Sequence, residues 1–82
     1  MKAIEFSEVN VRIAEHQDEY ETIPAYVRKD DGTSLIAVTM CFELNKEERK
    51  QVSKTGHIWH TVLTQPKTKF NPIRMDTLKP EL

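Results

Sequence analysis

The sequence predicts an α+β fold: a small, mostly antiparallel sheet of five to six strands with one short helix, in the chain order β-β-β-β-α-β-β. Three observations predict it. Apolar residues alternate with polar ones over long stretches, as at Val9, Val11 and Ile13 and again from Ile36 to Leu44. One helix with both ends marked interrupts this alternation at residues 46–55. Asp30-Asp31-Gly32 supplies a hairpin turn between two extended runs.

Residues 2–6 read as a first short strand. Val9, Val11 and Ile13 alternate with Asn10, Arg12 and Ala14, which describes a half-buried second strand. Ser7-Glu8 is placed to act as a tight hairpin turn between the two, although no glycine marks it. Residues 16–22 are polar and lack a period, so they read as a loop. Residues 23–28 are extended. Pro24 has no N–H for a ladder, so this is an edge strand or the start of one. After the Asp30-Asp31-Gly32 turn, residues 35–44 form the best central strand. Ile36, Val38, Met40, Phe42 and Leu44 share one apolar face, and Leu35, Ala37, Thr39, Cys41 and Glu43 share a mixed one. Residues 58–64 and 73–78 read as two further strands around a loop at 65–72, before a loose tail.

The helix signal has a mechanism. Asn45 can accept from a free first-turn N–H, and Glu48 can reach back to the Asn45 N–H, a capping box. Glu47 and Glu48 sit at the positive end of the helix dipole and Lys54 at the negative end. Gly56 can close the helix in a left-handed conformation. Only Val52 is strongly apolar, so the helix is a surface one that leans on the sheet through Leu44, Val52 and the stems of long basic side chains.

Length bounds the rest. The 82 residues make one domain with a marginal core. The one cysteine, Cys41, permits no internal disulfide. Its apolar run predicts a small buried hydrophobe and suits a reducing compartment. The opening residues are too few and too charged for a signal peptide, and no apolar run is long enough to span a membrane. With no disulfide to help, self-association is expected to enlarge the core, most simply as a two-fold dimer.

The net charge of −1 hides an asymmetry. Residues 1–45 carry four Lys or Arg against nine Asp or Glu, and residues 46–82 carry eight against four. The C-terminal half is thus a candidate anion-binding surface, unless the halves interleave and the field averages out. Lys46, Lys50 and Lys54 share one helix face, either as a solvated stripe or as an attractor of phosphate or an acidic partner. The aromatic set Tyr20, Tyr26, Trp59 and Phe70, with Arg28, Lys69 and Arg74, suits base stacking or an interface, and Trp59 equally suits a core.

No chemistry follows from spacing. His57 and His60, three apart on a strand, face opposite sides and would not share a metal. Cys41 lies in an apolar strand, where a thiol is a poor nucleophile. The only glycines, Gly32 and Gly56, serve a turn and a helix stop rather than a phosphate loop. A binding protein is expected rather than an enzyme, with no cofactor and no metal.

One resemblance adds to this. Gln17-Asp-Glu-Tyr20, then Ile23-Pro-Ala25, Glu48-Arg49 and Thr55-Gly-His-Ile-Trp59, with Asn71-Pro-Ile73 near the end, resembles a group of small proteins encoded by tailed bacteriophages and prophages. The similarity runs over about residues 11–74, and Phe42 stands where such proteins often have Trp. The resemblance implies action in the cytoplasm of an infected bacterium and transfers no functional residue. The expected function is binding to a host defence protein, or sequestration of its nucleotide signal. The alternative is a nucleic-acid-binding or virion-associated structural protein. The expected contact surface combines Arg49, Lys50 and Lys54 with His57, Lys69 and Arg74, where positive charge concentrates.

Overall fold

The computed structural model of the protein describes residues 1–16, 21–29, 32, 34–63 and 72–82. They form β1 (Lys2–Ile4), β2 (Val11–Ile13), β3 (Ile23–Lys29), β4 (Ile36–Glu43), α1 (Lys46–Thr55), β5 (Trp59–Val62) and β6 (Ile73–Asp76). Every pairing among them is antiparallel. The chain is α+β, close to the predicted order, but its strands divide into a four-stranded sheet, β1-β4-β3-β2, and a separate β5-β6 ribbon. Two compact units result, Lys2–Glu43 and, together with Met1, Leu44–Leu82. The expected loop around Gln17–Tyr20, the turn residues Asp30 and Asp31, and the loop with Lys69 and Phe70 lie outside the described residues.

In the Lys2–Glu43 unit, β4 is the organising strand. It pairs with β3 along Ile36–Met40 and with β1 along Cys41–Glu43. Val38, Met40 and Phe42 are half-buried, whereas Thr39, Cys41 and Glu43 are exposed, so the apolar face packs from Val38 onward; at the strand's start Ile36 is exposed and Ala37 half-buried, against the expected alternation. Cys41 is therefore a correction to the buried position expected for it. Its side chain belongs to the mixed face and points to solvent. Pro24 and Ala25, near the start of β3, are the buried residues of the strand, Ala25 completely so.

The Ser7-Glu8 turn forms, closed by the Val9 N–H donating to the Phe6 carbonyl at 3.2 Å, but no hairpin follows. β1 crosses to β4 and β2 goes to β3. A two-residue hairpin needs positive φ inside the turn, and neither Ser7 nor Glu8 has it, so the flanking strands diverge. Pro24 opens an inner strand rather than an edge strand. Its register partner is Arg12 on β2, and the β3–β4 ladder begins one residue later, at Ala25. The missing N–H therefore falls outside the longest ladder.

Asn10 completes the β2 side of β3 with its side chain. Its carboxamide donates to the Val27 carbonyl at 3.0 Å and accepts from the Val27 N–H at 2.9 Å. Its own N–H donates to the Ala25 carbonyl at 3.0 Å. The side-chain amide supplies what a further backbone unit of β2 would have supplied.

Ala14, the residue after β2, takes φ 63, a left-handed conformation that an L side chain adopts at a cost of about 1–2 kcal/mol. Ala14→Gly is expected to stabilise the protein by about 0.5–1 kcal/mol, the steric relief outweighing the added freedom of the unfolded chain. Chemical denaturation of the two proteins measures this, and a less stable glycine variant would contradict the strain at Ala14.

Candidate anion-binding helix face

α1 holds no buried residue and one strong apolar one, so its ends must define it. Asn45 is extended at φ −76 and ψ 178. Its carboxamide oxygen accepts from the Glu48 N–H at 2.8 Å, and its N–H donates to Glu48 Oε1 at 2.9 Å. The capping box predicted from sequence is thus closed in both directions. The second carboxylate oxygen of Glu48 accepts from the Met1 ammonium. The Asn45 N–H, and after it the Met1 ammonium, hold the Glu48 carboxyl below its ordinary value of 4.5.

The other end stops at Gly56, with φ 70 and ψ 14 and its N–H donating to the Val52 carbonyl at 2.7 Å. Thr55 reinforces the stop. Its hydroxyl donates to the Gln51 carbonyl at 3.0 Å and accepts from the His57 N–H at 3.1 Å.

These two ends fix the extent of the helix, and its half-buried side fixes which face meets water. At 3.6 residues per turn, Lys46, Arg49, Lys50, Ser53 and Lys54 fall within about 140° of the circumference. All five are exposed, and they line one shallow, open furrow. Glu48, Gln51 and Val52 lie on the opposite side and are the half-buried residues of the helix. Gln51 accepts there from the hydroxyl of Thr77, a buried residue just after β6. The helix is amphipathic in charge more than in hydrophobicity.

Three ion pairs form among the described residues, Met1–Glu48, Arg12–Glu5 and Arg74–Asp76. None uses a cation of the α1 face, so Lys46, Arg49, Lys50 and Lys54 present four charges over an axial length of about 12 Å. Of the expected contact residues, the fold brings Arg49, Lys50 and Lys54 together. Arg74 stands on β6, where its Nε donates to Asp76 Oδ2 at 2.8 Å, so its charge is already engaged. Lys69 lies outside the described residues. Lys46 belongs to the face, as its i, i+4 spacing from Lys50 signals.

His57 follows the helix stop and meets Trp59 edge-on, ring centroids 6.4 Å apart at 89°. Lys79 brings its Nζ to 5.9 Å from the same indole, at the outer limit of a cation–π contact. No spacing in the sequence signals Lys79, since a partner twenty residues away is set by the path of the chain. Trp59 is half-buried, an aromatic wall shared by a histidine and a lysine rather than a closed core.

Among the described residues no helix is long and apolar enough to cross a membrane. Comparison with known protein families, with curated proteins and with solved structures finds no match.

Asn45→Ala is expected to cost about 0.5–2 kcal/mol by opening the cap. Gly56→Ala is expected to cost about 1–2 kcal/mol through φ alone, because a Cβ there meets no atom within 4 Å. Denaturant titrations read both, and an unchanged midpoint in either would sever that cap from stability.

The Glu48 shift sets a pH dependence of known sign. A carboxyl held below 4.5 in the folded protein contributes stability above that pH and loses it as the pH falls through the lowered value. Thermal melts between pH 6 and pH 3 should therefore show a decline on acidification that is shallower in Glu48→Gln, whose amide can still accept from Asn45. Parallel profiles for the two proteins would count against Glu48 as the titrating group.

Proposed function

We propose that the protein acts by binding, and that it meets an anionic macromolecule through the basic face of α1. The supporting observation is the display of Lys46, Arg49, Lys50 and Lys54 on one exposed helix face, with no ion pair among the described residues to neutralise them. Charge that no intramolecular partner satisfies steers and orients an oppositely charged one. The furrow on this face is shallow and open, made by the side chains of a single helix. A small nucleotide needs a concave site that buries most of its surface, so a large partner fits this face better.

The resemblance to small proteins of tailed bacteriophages and prophages supports an infected bacterium as the setting, and an acidic surface of a host defence protein as the partner. A second partner, the phosphate backbone of nucleic acid, is favoured by the regular repeat of Lys46, Lys50 and Lys54 at about 6 Å along the axis. Self-association belongs to the same proposal. Apolar side chains stay exposed in both units, Leu35 at 67% and Leu63 at 62% among them, and the core of a chain this short is small.

Capture from bacterial lysate, compared between the wild type and Lys50→Glu/Lys54→Glu, tests the binding face. The wild type is expected to retain a protein partner that moderate salt releases, and the double reversal to lose at least tenfold of that retention at an unchanged melting temperature, since exposed charges contribute little to folding. Equal retention by both would remove the α1 face from the proposal. Salt-sensitive retention on a single-stranded oligonucleotide, without a protein partner, would favour nucleic acid instead.

A further inference from the structure

We propose that β4 carries a docking edge for a second copy of the chain, and that two copies pair antiparallel along Ile36–Met40 with Val38 at the two-fold axis. This rests on the self-association proposed above and gives it a surface and a register.

The backbone supports it. The Val27 N–H and carbonyl are both taken by the Asn10 side chain on the β2 side of β3. Val27 is the register partner of Val38. In an antiparallel ladder a residue whose N–H and carbonyl point away from its neighbour faces one that also points away. The Val38 N–H and carbonyl therefore point off β3, toward the other edge of β4. With a period of two, Ile36 and Met40 point the same way.

That other edge is the side on which β1 lies, and β1 pairs only with Cys41–Glu43. Ile36 to Met40 have no strand partner there among the described residues. An edge of outward N–H and carbonyl groups is filled by an extended backbone, and natural edges are otherwise blunted with charge or proline. This one reads Ile-Ala-Val-Thr-Met and carries neither.

The same segment suits itself. With the axis at Val38, Ile36 of one copy faces Met40 of the other, and Ala37 faces Thr39, with no like charges opposed. The outward-pointing residues 36, 38 and 40 then face one another, which is the phase that hydrogen bonding requires. β1 limits the shared ladder to five residues, because its pairing begins at Cys41.

Sedimentation equilibrium on the wild type, on a synthetic chain with N-methyl Val38 and on Thr39→Lys tests this. The N-methyl group blocks an outward N–H and removes no bond within the β3–β4 ladder. Thr39 is exposed, so a lysine there puts charge on the edge without entering the core. The wild type is expected to reach dimer mass at micromolar concentration. Both altered chains should need at least tenfold higher concentration, with the circular dichroism of the wild type retained. A third chain, Ala37→Cys/Thr39→Cys in a Cys41→Ser background, should form disulfide-linked dimers on mild oxidation, since that pair is the close, non-hydrogen-bonded one.

A wild type that stays monomeric at millimolar concentration would overturn both the edge and the self-association. A dimer that survives N-methylation and Thr39→Lys and forms no 37–39 cross-link would overturn the edge alone. Neither result touches the α1 face, whose test reads capture of a different molecule.

Discussion

The capping box between Asn45 and Glu48 is the interaction on which the exposed chemistry of this protein depends. α1 contributes one strong apolar residue and buries none completely, so packing does little to choose its length or its rotation. Asn45 fixes the first turn, Gly56 fixes the last, and Gln51 is tied by Thr77 on the packed side. With those three positions set, helical geometry places four cations together on the opposite side. The basic face follows from how the helix starts, stops and faces inward.

The sheet unit is governed by backbone accounting. Few large side chains are deeply buried, and the strands hold one another mainly through their ladders. Asn10 shows how closely these are matched. Just before β2 begins, the Asn10 carboxamide takes over both polar groups of Val27. The same accounting, carried one strand further, leaves part of β4 facing outward. A small chain whose single cysteine permits no internal disulfide has two common ways to gain stability, a larger core or a partner for its edges, and the β4 edge is proposed for the second.

How much was legible in the sequence depends on whether the signal was local. The helix could be read to its residue limits because every determinant of it, Asn45, Glu48 and Gly56, lies within one short segment. The apolar face of β4 was legible because a strand alternates strictly between its two sides. Strand partners were not. Ser7-Glu8 makes a turn as expected, but whether a turn becomes a hairpin depends on φ at two residues and on which distant strand competes for β1. Cys41 was assigned by the hydrophobicity of its run, whereas its parity along β4 decides its exposure. For the candidate face, the stripe of lysines was visible from spacing. The engagement of Arg74 by Asp76 and the placement of Lys79 over Trp59 were not, because side-chain partners two strand positions or twenty residues apart compete with solvent in ways that sequence does not rank.

The most direct test of the central claim, that capped ends turn an unneutralised basic face toward an anionic partner, is a residue-resolved amide NMR titration with a short polyglutamate peptide. Saturable shifts centred on Lys46, Arg49, Lys50, Ser53 and Lys54 are expected, with the packed residues Gln51 and Val52 little affected and the response collapsing at about 0.5 M salt, where screening reaches within a few ångströms. Shifts centred on another surface, or a response indifferent to salt, would contradict it.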